Sequence, residues 1–287
     1  MVNLKLMKYL CSLNQIDLKT VIHNFLTNSY DKVIHTDDYL FAEGTLPVCL
    51  VAHLDTVFKQ PPREIFYDAE QKVLWSPQGL GADDRAGIYA ILSIISAGYR
   101  PSVVFTTNEE IGGLGAFKLI ENYSECPFQG LKAIIELDRR GEKDCVFYEC
   151  DNPDFEKYIQ QFGFVSNIGS FSDISILAPE WGVAAVNLSV GYMDEHSTNE
   201  RLYINYLEST ISKVIEILNK SISMLNYAYV PMEYSFTMDC AICQTPLSIN
   251  NYVNVKIQGS TFHVCNKCHD IYYKPYQKNG KKTRKRK

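Results

Sequence analysis

The stretch Val48-Cys49-Leu50-Val51-Ala52-His53-Leu54-Asp55 decides the fold. Five apolar residues in succession leave no polar face, so Val48–Leu54 reads as a strand buried on both sides, the signature of the interior of a parallel sheet. Its polar residues come at the carboxyl end, where open sheets of this kind bind ligands. Before it, residues 3–27 carry apolar residues at helical spacing, interrupted near Asn14, followed by short strands at Lys32–His35 and Tyr39–Phe41. After it, strands and helices alternate: Val73–Trp75, a helix Arg85–Ala97, strand Ser102–Thr107, helix Gly115–Asn122, strands Leu131–Leu137 and Cys145–Glu149, helix Asp154–Phe162, strand Val183–Ser189 and a long helix Leu202–Leu225. The pattern predicts an α/β fold, a three-layer αβα sandwich around a mixed, mostly parallel sheet.

The composition fits one large domain with an appendage. The chain has 287 residues, 46% of them hydrophobic, enough to fill one core. No uncharged apolar run reaches about 18 residues, and Met1–Leu18 lacks the basic, apolar and small-residue succession of an export signal, so the expectation is a cytoplasmic protein with no membrane partner. Residues 274–287 hold eight basic residues and no acidic one, leaving 20 basic against 33 acidic in residues 1–273. The body is acidic and the tail polybasic. The expected organisation is a catalytic domain over 1–226, a connector over 227–239, a cysteine module over 240–273 and the tail over 274–287.

Five loops hold the residues that carry chemistry. In Val51-Ala-His-Leu-Asp-Thr-Val57 the two-residue repeat of a strand end puts His53 and Asp55 on one side, so Asp55 can fix the imidazole. In Gly79-Leu-Gly-Ala-Asp-Asp-Arg-Ala-Gly87 two aspartates open a helix, and one of them can bridge two metals. In Thr106-Thr-Asn-Glu-Glu-Ile-Gly-Gly-Leu-Gly115 one of two adjacent glutamates can ligate while the other holds a proton. Asp138 in Ile135-Glu-Leu-Asp-Arg139 and His196 in Asp194-Glu-His-Ser-Thr-Asn-Glu200 complete the set. Together these imidazoles and carboxylates supply about three ligands for each of two ions, one carboxylate being shared. Any one of these pieces alone is more often a helix cap or a solvated face; their combination at strand exits is what points to a site.

The ordered set His-x-Asp, Gly-Ala-Asp-Asp, Glu-Glu-x-Gly, Asp and His resembles the co-catalytic zinc exopeptidase superfamily, which includes peptidase T, the carboxypeptidase and dipeptidase branch, and the aminopeptidases. The resemblance covers about residues 45–215. It implies two catalytic Zn²⁺, one held by His53, Asp83 and Asp138 and the other by Asp83, Glu110 and His196. It also implies that Glu109 is the general base acting on a metal-bridging water, and that Asp55 supports His53. In the family's pattern a basic residue commonly stands two positions after the bridging aspartate, which selects Asp83 by way of Arg85 and leaves Asp84 as the fallback. Co²⁺ or Mn²⁺ would satisfy the same ligands.

Two departures narrow the branch. Only 57 residues separate Asp138 from His196, and 29 separate His53 from Asp83, so neither of the family's inserted domains fits. The resemblance therefore implies a lidless body acting on peptides, as an aminopeptidase or small-peptide exopeptidase, with deacylation of an N-acyl amino acid as the alternative on the same site. Ser172 and Asp173, in Gly169-Ser-Phe-Ser-Asp-Ile174, either line the substrate pocket or cap the next helix. Arg139 and Arg140 are candidates for a substrate carboxylate.

Near the C-terminus, Cys240-Ala-Ile-Cys243 and Cys265-Asn-Lys-Cys268 stand 21 residues apart, the spacing of a four-cysteine zinc ribbon with one structural Zn²⁺. His263 and His269 read as bystanders, and the other five of the nine cysteines as ordinary reduced residues. A ribbon next to a polybasic tail makes nucleic acid a candidate partner. An adaptor role for these parts, with the body as scaffold, is the rival to an enzyme, and the complete ligand set with Glu109 argues against it.

Overall fold

A computed structural model describes residues 1–220, 227–232, 239–245, 247, 252–257 and 260–273. The chain divides into two compact units, Met1–Met232 and Glu233–Lys287. The proposed basic tail, residues 233–238 of the connector and the expected helix end at 221–225 lie outside the described residues.

In the first unit, α1 (Leu4–Cys11) and α2 (Gln15–Thr27) are separate helices because Asn14 caps the second, its Oδ1 accepting from Asp17 N at 2.9 Å. There follow β1 (Val33–His35), β2 (Tyr39–Ala42), β3 (Leu46–His53), β4 (Phe66–Asp68), β5 (Val73–Trp75), α3 (Ala82–Ser96), β6 (Pro101–Thr106), α4 (Leu114–Asn122), β7 (Ala133–Arg139), β8 (Asp144–Val146), α5 (Pro153–Gln160), β9 (Val165–Ser166), α6 (Ile174–Trp181), β10 (Ala185–Ser189), β11 (Tyr192–Met193), β12 (Arg201–Tyr203) and α7 (Ile204–Asn219).

Eight strands form one sheet in the order β1-β2-β6-β3-β7-β10-β8-β9. Its central neighbours β6, β3, β7 and β10 run parallel, whereas β1, β2 and β8 join through antiparallel pairings. The alternation of a strand divides the apolar residues between two cores. Val48, Leu50, Ala52, Val103, Phe105, Ile135 and Leu137 face one core, which α1, α2, α3, α5 and α7 cover with residues such as Met7, Ile22, Ile91, Phe155 and Leu207. Cys49, Val51, Val104 and Ile134 face the other, closed by Leu119 of α4 and Leu177 and Trp181 of α6. The sandwich predicted from the sequence is the one observed. Gly87 is needed where α3 crosses β7, since a side chain there would run into the Leu137 carbonyl.

A second sheet of order β11-β12-β5-β4 lies outside the predicted pattern. Residues 201–203 start as a strand, Leu202 pairing with both Tyr192 and Leu74, so the helix expected from Leu202 begins at Ile204. Similarly, β8 stops at Val146, short of the expected Glu149, ahead of Tyr148, which has φ 52°. Residues beyond Asn219 still belong to the body: Val183 bridges Ala228 and Cys150 bridges Pro231. Among the described residues, no helix is long and apolar enough to cross a membrane.

The second unit is built on the hairpin β13 (Tyr252–Ile257) and β14 (Ser260–Cys265), followed by a short helical turn, Asn266–Cys268. Its buried cluster among the described residues is Cys240, Leu247, Val255, Val264 and Cys268. A core this small cannot by itself offset the chain entropy of folding.

Candidate metal centre

The parallel topology brings the predicted residues to one edge. His53 ends β3, the Asn108–Glu110 loop follows β6, and Asp138 lies near the end of β7; because β3 pairs with both neighbours, all three emerge side by side. Asp83 comes from the start of α3, where Asp83 and Asp84 keep non-helical angles, and His196 from the loop between β11 and β12. That loop holds Asp194 and His196 at φ 55° and 61°, conformations that a non-glycine side chain rarely adopts.

Asp83 lies between the two imidazoles. Its Oδ1 is 3.0 Å from His53 Nε2 and its Oδ2 is 3.1 Å from His196 Nε2. His53 Nε2 is also 3.4 Å from Asp138 Oδ1, and His196 Nε2 is 2.9 Å from Glu110 Oε2. Asp84 occupies the same neighbourhood, but its oxygens are taken by backbone: Oδ2 accepts from His53 N at 3.3 Å and Oδ1 from Gly87 N at 2.9 Å. The site opens on one side, since His196 has half its side chain exposed while His53 is buried.

These groups fit divalent ions. A tetrahedral ion with bonds of about 2.0–2.1 Å to nitrogen and oxygen spaces its ligands roughly 3.3 Å apart, and the nitrogen–oxygen distances here are 2.9 to 3.4 Å. Glu110 Oε1 is buried with no hydrogen-bond partner. Charge gives the same indication. Burial pushes Glu110 and Asp138 up to about 7, and Asp83 beside each adds to the rise. The bond to Asp83 lifts His196 to about 9, while burial opposes charging His53 and is outweighed by Asp138, Asp55 and Asp83. Burial also pushes Glu109 up to about 9, with Asp138, Asp173 and Glu110 acting in the same sense. The crowding of carboxylates is what bound cations would relieve.

Around this cluster, supporting groups fix the loops. Asp55 Oδ1 is 3.3 Å from His53 Nδ1, and its two oxygens accept from Glu109 N at 3.0 Å and Glu110 N at 3.1 Å, so one carboxylate sets both the ring and the glutamate turn. The buried Arg85 donates to the carbonyls of Leu54 and Asp55 at 2.8 and 2.9 Å. Glu200, to which the sequence reading gave no role, is fully buried; its carboxylate accepts from Gly81 N at 2.6 Å and Asp83 N at 3.0 Å, tying the His196 loop to the Asp83 loop.

Ser172 and Asp173 are buried in the sheet face. Ser172 Oγ donates to Glu136 and Asp173 accepts from Thr106 Oγ1, while Asn187 joins Ser172 Oγ (3.1 Å) and the Asp138 backbone (2.9 and 3.0 Å). Asp173 makes no side-chain capping bond to α6. Arg140 pairs with Glu195 at 2.8 Å, and Arg139 donates to the Ile168 carbonyl at 3.2 Å.

In the second unit, the sulfurs of Cys240, Cys243, Cys265 and Cys268 all lie within 4.8 Å of one another, and Cys243 and Cys265 are 3.8 Å apart. Zinc–sulfur bonds of about 2.3 Å put tetrahedral thiolates roughly 3.8 Å apart. Cys240 Sγ accepts from Cys265 N at 3.3 Å, a bond that favours its thiolate, and Cys265 Sγ accepts from Cys268 N at 3.4 Å. Against burial, which raises it, the backbone N–H groups of Cys243, Cys265 and Ile242 bring Cys240 down to about 6.

No family model matches the sequence, and no curated protein matches it. Among solved structures the chain is similar to a tripeptidase from Staphylococcus aureus, with a TM-score of 0.62 and 16% identity over 76% of this chain and 97% of that one. It is also similar to the aminopeptidase PepT from Bacillus cereus, with a TM-score of 0.59 and 15% identity over 75% and 96% of the two chains. An aminopeptidase from the archaeon Desulfurococcus kamchatkensis gives a TM-score of 0.60 and 14% identity over 77% and 95%. At such identities the likeness shows a shared fold.

Proposed function

We propose that the body is a two-metal hydrolase of peptide bonds, working at chain ends as an aminopeptidase or small-peptide exopeptidase. The observation that carries this reading is Asp83, which offers one oxygen beside each of two histidines in a ring completed by Asp138 and Glu110. His53, Asp83 and Asp138 would hold one ion, and Asp83, Glu110 and His196 the other. Bound divalent ions, zinc in the first instance, supply Lewis acidity that polarises an amide carbonyl and eases the ionisation of water. The chain's own residues do the rest. Asp55 keeps His53 and the Glu109–Glu110 turn in register, Arg85 holds the Asp55 backbone, and Glu200 holds the backbone of Gly81 and Asp83. Glu109 takes a proton from the attacking water and delivers it to the leaving amine, so its carboxyl ends the cycle as it began. The fold shared with solved tripeptidase and aminopeptidase structures supports a peptide as the substrate.

The four cysteines of the second unit would hold one further zinc, in a structural role, because four thiolates leave no open position for water. The test of the hydrolytic reading is a panel of short peptides with free or blocked termini, with and without chelator. Cleavage of free-amino peptides that chelator abolishes is expected. Cleavage confined to N-acyl substrates would contradict it.

A further inference from the structure

A cavity of about 400 Å³ lies in the body between the α1–α2 turn and the loop that follows β3. Small-molecule sites have about 300–1,000 Å³. Neither the five candidate ligands nor Glu109 lines it. The His53 ring turns Nε2 toward Asp83 and Asp138 and Nδ1 toward Asp55, and Asp55 borders the cavity. The cavity therefore stands behind the imidazole, on the side away from the candidate ions. Leu13, Phe58, Pro61, Pro62 and Leu80 give it apolar walls. Phe58 is fixed there: a Cβ placed on Gly79 would meet its ring at 2.1 Å, and Thr56 Oγ1 accepts from Phe58 N at 2.9 Å.

Positive charge reaches this cavity from three sources. Arg85, 3% exposed, lines it. Its Nη1 donates to the carbonyls of Leu54 and Asp55, its Nη2 donates to the carbonyl of Leu13 at 3.3 Å, and its Nε is buried with no hydrogen-bond partner. The Nε–Nη2 edge, on which a guanidinium takes a carboxylate through two parallel bonds, thus carries one long bond, to a residue of the cavity wall. The aspartates near Arg85 spend their oxygens elsewhere: Asp55 on the glutamate turn, Asp83 beside the histidines, and Asp84 on backbone N–H groups. The second source is the start of α2, where Asn14, Gln15 and Ile16 line the cavity and Asp17 does not. The first N–H groups of a helix have no partners within it and favour anions. The third is Lys59, exposed on the rim.

We infer that this cavity is a regulatory site for a small carboxylic acid with a branched apolar body. The carboxylate goes to the Arg85 edge and the start of α2, and the hydrocarbon to the wall of Phe58 and the two prolines. Apolar walls disfavour a strongly hydrated anion such as phosphate. The site stands on the cavity itself, while its effect on turnover rests on the peptide-hydrolase reading. Arg85 holds the backbone of Leu54 and Asp55, and Asp55 orients His53 and the Glu109–Glu110 turn. A carboxylate that draws the guanidinium toward the cavity loosens that support and slows turnover. An acid released by hydrolysis and an acid of other origin present the same group.

The test separates binding from turnover. Calorimetric titration of the metal-loaded full chain should show binding of 4-methylpentanoate and none of its neutral amide. Leucine serves as the second acid: if it binds tighter, a product of peptide cleavage is the effector, and if 4-methylpentanoate does, an acid without an amine is. Lys59→Glu and Ile16→Asp each add negative charge to the wall without touching a candidate ligand. Each should weaken the acid at least roughly tenfold and leave cleavage of Leu-Gly-Gly in the absence of acid unchanged. In the wild-type protein the acid should lower kcat with KM unchanged. A rise in KM alone, or binding that chelation abolishes, puts the acid on the ions and overturns the inference. So does binding that survives both substitutions, or phosphate binding as tightly as the acid. Peptide cleavage without acid binding removes this inference and leaves the hydrolase reading standing. Acid binding at the cavity of a protein that cleaves no peptide does the reverse.

Discussion

The two candidate metal-binding regions reach their geometry by opposite routes. In the body, the five candidate nitrogen and oxygen ligands span residues 53 to 196 and come from three strand ends of the large sheet, the start of α3 and the β11–β12 loop, all held by two apolar cores. In the second unit the four sulfurs come as two close pairs, one before the hairpin and one at its end, around a cluster with five buried members among the described residues. The first is a fold that would hold ions, and the second is a fold that an ion would hold. A centre made from distant loops therefore depends on the scaffold's precision, whereas one made from local pairs depends on the metal itself.

Chelation should separate the two most sharply. Stripping metal is expected to abolish peptide cleavage and to melt the module, while the body keeps its structure. Hydrogen exchange checks this: amides of Tyr252–Ile257 and Ser260–Cys265 should lose protection and those of β3, β6 and β7 should keep it. Equal loss in both units would erase the contrast. Next in size is Glu109→Gln, for which turnover should fall by roughly 10²–10⁴ with metal content unchanged. Loss of metal along with activity would make Glu109 a ligand instead.

A smaller effect is expected at Glu200. Replacing it with Gln turns an amide N–H₂ toward the N–H groups of Gly81 or Asp83 and loosens the loop that presents Asp83. Affinity for zinc, read by competition with a chromogenic chelator, should weaken about 10–100-fold; an unchanged affinity would show that the loop needs no such tie. The smallest change belongs to Ser172→Ala, which removes the hydroxyl between Glu136 and Asn187 and should cost about 1–3 kcal/mol in urea unfolding. No loss there would mean that the strands carrying Asp138 and Asn187 hold their register unaided.

The contrast also explains what could be read in advance. Continuous apolar runs at Val48–Ala52, Val103–Phe105 and Ala133–Ile135 announce a doubly covered sheet, and the polar residues at their carboxyl ends announce a site. The paired cysteines are legible because their partners are near in sequence. The small sheet was not, because Phe66–Asp68 and Tyr192–Met193 are too short to show a period, and Leu202 continues the helical spacing of the residues after it. Glu200 was invisible for another reason: its partners are backbone N–H groups, on Asp83 117 positions away, and backbone leaves no mark in a sequence. Ser172 and Asp173 suggested a pocket or a cap because both readings are local, whereas their partners, Glu136 and Thr106, lie on other strands.

The central claim is that the body holds two ions and the module one. Elemental analysis of the full chain should give about three zinc ions per molecule, and about two when Cys240 and Cys243 are both replaced by Ser, with peptide cleavage retained. About one ion in the full chain and none after the cysteine replacements, with cleavage intact, would contradict the account.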